Sequence, residues 1–226
     1  MISRAQQLIL AALVLGDACL GLIAIWKLPD RVPVHWNFQG EVDRYGSPWE
    51  LGFLVPIGLT LLTALLVLLP HFGSLGQALS RSGNVYGRIA ISIVLAMVAI
   101  HAATVVLGRR DPLDAVRTIW IIFGLMWMAI GNWLGKIRRN ALMGIRTPWT
   151  LQSDFVWERT HRIGGRLEVA HGLAILLAGI FLPVWAPPAV FLVGVLGLVI
   201  WALFYSWSLG RAEASDGDPT PRKTTR

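Results

Sequence analysis

The chain has 226 residues, 55% of them apolar, with 20 Lys and Arg against 13 Asp and Glu and a formal net charge of +7. Six apolar stretches, each about 20 residues and so long enough to cross a bilayer, use up most of that length and leave no room for a soluble domain of ordinary size. The single cysteine, Cys19, excludes an internal disulfide and a multi-cysteine metal site, and the basic residues gather in particular loops rather than on one folded face, which argues against direct nucleic-acid binding.

The predicted spans are 8–26, 51–69, 89–107, 116–134, 167–185 and 189–207. Backbone polar groups inside a bilayer must be satisfied within the chain, so each span reads as a helix. The expected fold class is all-α: a polytopic membrane protein with six transmembrane helices in a bundle. The expected organisation is an N-terminal membrane region, 1–75, then a second membrane region, 76–209, then a disordered tail, 210–226. That tail lacks large apolar residues and cannot bury a core.

Six spans place both termini on one side. That side, with the loop 135–166, holds 14 Lys and Arg; the other, with the loop 27–50, holds 6 at most. The positive-inside rule then puts the termini and 135–166 in the cytoplasm and turns 27–50 outward. The first span outruns a signal-peptide core and ends without a small-residue cleavage site, so it reads as a retained helix.

Span one carries Asp17 near its middle. A central Asp costs roughly 2.5–3.5 kcal/mol on insertion scales, so it is expected to face the bundle, paired or protonated. The outward loop follows, with three prolines and two glycines between Leu28 and Trp49 that forbid a long helix. Trp36, Phe38, Tyr45 and Trp49 are too apolar for a solvated linker. They form either an interfacial aromatic belt or a structured outward binding surface. His101 in span three and Asn132 in span four suggest interhelical hydrogen bonds, and Gly131-x-x-x-Gly135 allows close helix packing.

In the inward loop, Thr147 precedes Pro148 and should be extended. Ser153 or Asp154 is a plausible N-cap for a short helix over 155–163, which Gly164-Gly165 would end before span five. This helix, with Trp157 beside Arg159 and Arg162, reads either as an interfacial element on anionic lipid or as a docking surface for a cytoplasmic partner. Glu158-x-x-His161 and Glu168-x-x-His171 each place two metal-capable side chains on one helix face. Only Asp17 offers a further intramembrane carboxylate, so no metal site and no cofactor are expected. No nucleophile triad, phosphate loop or HExxH occurs, and no catalytic residue is assigned.

Two stretches resemble a known family. Pro33-Val34-His35-Trp36-Asn37, with Gly40, Asp43 and Tyr45-Gly46-Ser47, is similar to the N-terminal domain of unknown function of SdpI-type membrane proteins. Asn140, Gly144-Ile145-Arg146-Thr147-Pro148-Trp149-Thr150, Ser153-Asp154, Trp157, His161 and Gly164-Gly165 resemble the SdpI signature, and Tyr205-Ser206 fits it too. The resemblance implies a non-enzymatic protein of the bacterial cytoplasmic membrane that confers immunity to a secreted toxic peptide and signals by holding a winged-helix repressor. On that reading His35, Trp36, Asn37, Gly40, Asp43 and Tyr45 are outward binding candidates. Asn140, Gly144, Arg146, Thr147, Pro148, Trp149, Ser153, Asp154 and Trp157 are inward ones. The alternative is a small transporter or membrane enzyme working through Asp17, His101, Glu168 and His171.

Overall fold

The computed structural model describes residues 2–108 and 111–216. Among them are six helices long and apolar enough to cross a membrane, in agreement with the sequence reading. Helix α1 (Arg4–Lys27) starts on a capping box: Ser3 accepts from the Gln6 amide while the Gln6 side chain accepts from the Ser3 amide. Its buried residues, Gln6, Leu10, Asp17, Gly21 and Ala24, follow helical spacing, whereas Leu8, Leu15 and Leu22 stand exposed where lipid would lie. Strands β1 (Val32–Trp36) and β2 (Val42–Gly46) then form an antiparallel hairpin. One widened π turn, Glu50–Leu54, leads into α2 (Val55–Leu68). A short helix, α3 (Gly73–Ser80), precedes the span α4 (Asn84–Leu107).

Helix α5 (Pro112–Leu134) begins with Asp111 capping the Leu113 and Asp114 amides and with Pro112 at the first position. After the one-turn helix α6 (Pro148–Gln152) come α7 (Asp154–Phe181) and α8 (Ala186–Asp216). The pair α5–α7 is the spine. Helix α8 lies on α7, α4 lies on α5, and α1 and α2 pack on α4.

Glycine seven apart on both partners closes the spine. A Cβ on Gly124 would lie 2.8 Å from the Gly172 oxygen, and one on Gly165 would lie 2.7 Å from the Gly131 oxygen. The antiparallel helices therefore meet backbone to backbone. Small residues do this work in a bilayer, where lipid tails compete with any apolar side chain and only close contact favours association. A second close approach joins the N-terminal helices, where a Cβ on Gly52 would lie 2.7 Å from the Gly21 oxygen.

Two expectations are corrected, and one is made specific. Gly164-Gly165 does not end a helix, because α7 runs unbroken through both; they are buried contact points, not breakers. The segment 27–50 has no long helix, as expected, and holds a β-hairpin that the sequence reading did not specify. Four residues, Asn37–Gly40, turn the chain, with Gly40 at φ +82°. The expected disordered tail is helical through Asp216; its remainder, 217–226, lies outside the described residues.

Candidate functional site

The loop between α5 and α7 is built inward. Asn140 is buried, and its side chain closes the turn: the carboxamide oxygen accepts from the Leu142 and Met143 amides, and the nitrogen donates to the Arg138 and Met143 carbonyls. Gly144 takes φ +108°, a conformation L side chains avoid. It sits directly against the His161 ring. His161 Nδ1 donates to the Trp157 carbonyl, and Nε2 accepts from the Ile145 amide, both at 2.8 Å. Those backbone partners allow only the neutral ring with hydrogen on Nδ1. The ring also stacks on Trp157 at 3.9 Å, and the Trp157 indole donates to the Ile137 carbonyl.

Thr147 and Thr150 form a capping box for α6. Thr147 then donates to Ser206 of α8 at 2.9 Å, and Thr150 donates to the Ile145 carbonyl. Trp149 covers Gly210, and Ser153 caps α7 while donating to Glu213. Arg139 reaches Asp154 at 2.6 Å and the Leu151 carbonyl, and Arg146 donates to the Ala141 carbonyl. Asn140, Thr147, Thr150, Trp157, His161 and Ser206 are therefore interior pieces of one knot. Arg146, Pro148 and Asp154 remain on its surface.

At the other end of the bundle His35, Asp43 and Tyr45 are exposed, while Trp36 and Asn37 are half-buried and Gly40 is buried. The side chains of His35 and Asp43 are 63% and 42% exposed and meet at 2.6 Å. Tyr45 is exposed beneath the Arg31 guanidinium. Asn37 holds the turn by accepting from the Gln39 and Glu41 amides. The hairpin rests on the helix ends, with Gly40 against Val184 and Leu113. Between hairpin and helices lies a cleft of about 380 Å³, lined by Val34, Trp36, Phe38, Ile119, Trp120 and Pro188 among others, with His35 and Asn37 on its wall.

The intramembrane polar residues separate into different environments. Asp17 is completely buried and meets His101 Nδ1 at 2.7 Å, which ties α1 to α4. Asp17 Oδ2 and His101 Nε2 are left without partners. His171 sits among Trp127 and Phe191, with Nε2 3.2 Å from the Val190 carbonyl. Glu168 lines a cavity of about 360 Å³ between α5, α7 and α8, together with Arg146, Trp127 and Trp201. Asn132 is exposed and makes no interhelical hydrogen bond among the described residues, contrary to the sequence reading.

No group of three metal-capable side chains occurs among the described residues. In Glu158-x-x-His161 both ring nitrogens are already engaged by the backbone. Sequence reasoning missed Thr160, which is wholly buried beside His161, and Glu213. It also missed the pairing of Gly124 with Gly172, although the seven-residue glycine spacing was there to read.

Residues 136–206 match the SdpI/YfhL protein family, and residues 12–69 match a domain of unknown function, DUF1648. The first match begins where the knot begins and ends on Ser206, its anchor in α8. The chain is similar to Immunity protein SdpI of Bacillus subtilis (strain 168): 23% identical over 162 residues, covering 71% of this chain and 74% of the relative. No solved structure matches it.

Proposed function

We propose that the chain is an SdpI-family integral membrane protein that protects a bacterium against a membrane-active toxic peptide without catalysing a reaction. The relative's name, Immunity protein SdpI, supports this reading. The observation that carries it is the hairpin cleft, lined mainly by apolar side chains with His35 and Asn37 among them. An amphipathic peptide offers both kinds of surface, and seating its apolar side chains there would withdraw it from the bilayer. The hairpin faces outward in this proposal, and the termini and the knot face the cytoplasm of a bacterial cell, as the basic asymmetry argues.

Signal relay is the finer part of the proposal. The knot presents Arg146, Pro148 and Asp154 on a frame fixed to both α7 and α8. Such a frame suits capture of a winged-helix repressor, which would act by being held away from DNA. The transporter alternative draws no support from the geometry. Asp17 and His101 join α1 to α4, Glu168 lines a cavity between α5, α7 and α8, and His171 lies in an aromatic cluster.

The test is growth of a peptide-sensitive bacterium expressing the chain, Trp36→Ala, or Phe38→Ala, against a panel of membrane-active peptides. Protection by the parent and its loss in the variants at equal protein level supports the proposal. No protection against any peptide, together with substrate-dependent flux in vesicles, overturns it.

A further inference from the structure

On an exposed side of the glycine spine, where α5 ends and α7 begins, two cavities of about 450 and 460 Å³ adjoin and share Gly135, Lys136 and Arg162. The first runs along the spine over Gly131 and Gly165, with Val169 on its wall and Asn132 and Arg166 at its side. The second continues toward the loop after α5 and adds Arg138 and Arg139, with Asp154 and Glu158 as its acidic members. Arg139 is already committed to Asp154. Lys136, Arg138, Arg162 and Arg166 make no ion pair among the described residues.

Arg162 and Arg166 stand four apart on one helix and are exposed. Like charges at this spacing repel unless an anion lies between them. Lys136 is held over the Trp133 ring at 4.2 Å, which fixes its stem beside the same cavity. Asn132, an exposed amide in a membrane span, adds an uncharged donor beside a trough whose floor is bare glycine.

We infer that this double cavity binds an anionic phospholipid. The phosphodiester sits between Arg162, Arg166 and Lys136, where guanidinium groups bond phosphate oxygens in forked geometry. The Asn132 amide donates to a glycerol ester carbonyl, and one acyl chain lies along the trough over Gly131 and Gly165. The demand for both a cation cluster and an apolar trough selects a lipid over a free phosphate. It also sets this place apart from the general attraction of basic loops to an anionic surface. The inference is independent of the immunity proposal and of which leaflet borders this end.

The test uses the purified full-length chain and native mass spectrometry, comparing phosphatidylglycerol with phosphatidylcholine of identical acyl chains. Phosphatidylglycerol should be retained preferentially. The double variant Arg162→Gln/Arg166→Gln should lose retention by roughly 30-fold, from about 1 kcal/mol for each cation near a membrane surface. Asn132→Leu should weaken both lipids alike, and Arg159→Gln, whose guanidinium lies over Phe155 instead, should change nothing. Unchanged melting temperatures separate lost binding from lost fold. Equal retention of the two lipids, wild-type retention by the double variant, an equal fall in Arg159→Gln, or displacement by millimolar glycerol phosphate would each overturn the inference.

Discussion

The two ends of the bundle carry equally dense sequence signatures and use them in opposite ways. At the α5–α7 end, Asn140, Thr147, Trp157 and His161 turn inward and bond backbone. At the hairpin end, His35, Asp43 and Tyr45 stand in the open. One signature describes how a loop is built and the other what a loop displays. Substitutions should therefore divide into those that lower the amount of protein and those that spare it.

His161→Ala should have the largest effect. It removes the stack on Trp157 and strands the Ile145 amide, an unsatisfied donor that alone costs roughly 1–3 kcal/mol. Thermal melting in detergent and steady-state protein level should fall together; a stable His161→Ala protein would break the comparison. Asn140→Ala comes next, because one side chain holds four backbone groups. A loss of about 2 kcal/mol is expected from net hydrogen-bond values, and melting again reads it.

Thr147→Val deletes a helix cap and the bond to Ser206 and should cost about 1 kcal/mol. Because Ser206→Ala removes the same link, the double variant should lose less than the two single losses added. Full additivity would mean that the hydroxyls act separately. At the other end, Asp43→Asn should shift stability by less than about 1 kcal/mol, as expected of an exposed pair, while reducing peptide protection. A Gln39→Cys label in a Cys19→Ser background should perturb least of all. It should react with an impermeant maleimide added outside intact cells; reaction only after permeabilisation would reverse the proposed orientation.

The six spans were legible because a bilayer demands long apolar helices and little else does. The hairpin was hidden by its own composition: Pro33 argues against a strand interior, yet it sits in a two-stranded sheet where edge positions tolerate it. Its turn signal, an Asn followed three residues later by Gly, was present. Gly164-Gly165 misled for a different reason. Glycine weakens a helix in water, but on the spine its missing side chain is what lets α5 approach, and only the partner's position reveals that. The extension of α8 was equally unreadable, since Glu213 gains its value from Ser153, 60 residues earlier. Within the knot, the residue types were visible but their direction was not. A buried His with two backbone partners and an exposed His at a binding surface look alike in a string of letters.

The bond between Asp17 and His101 also sets an order of events during synthesis. The two residues are 84 positions apart. At roughly 5–20 residues per second, the acid leaves the ribosome about 4–17 s before its partner does. Through that interval the first helix carries an acid without its partner, at a cost of roughly 2.5–3.5 kcal/mol if it lies among acyl chains. That cost is relieved only when the third span arrives. Helix one is thus committed to the membrane early but enters its final seat late, as a step of assembly rather than of insertion.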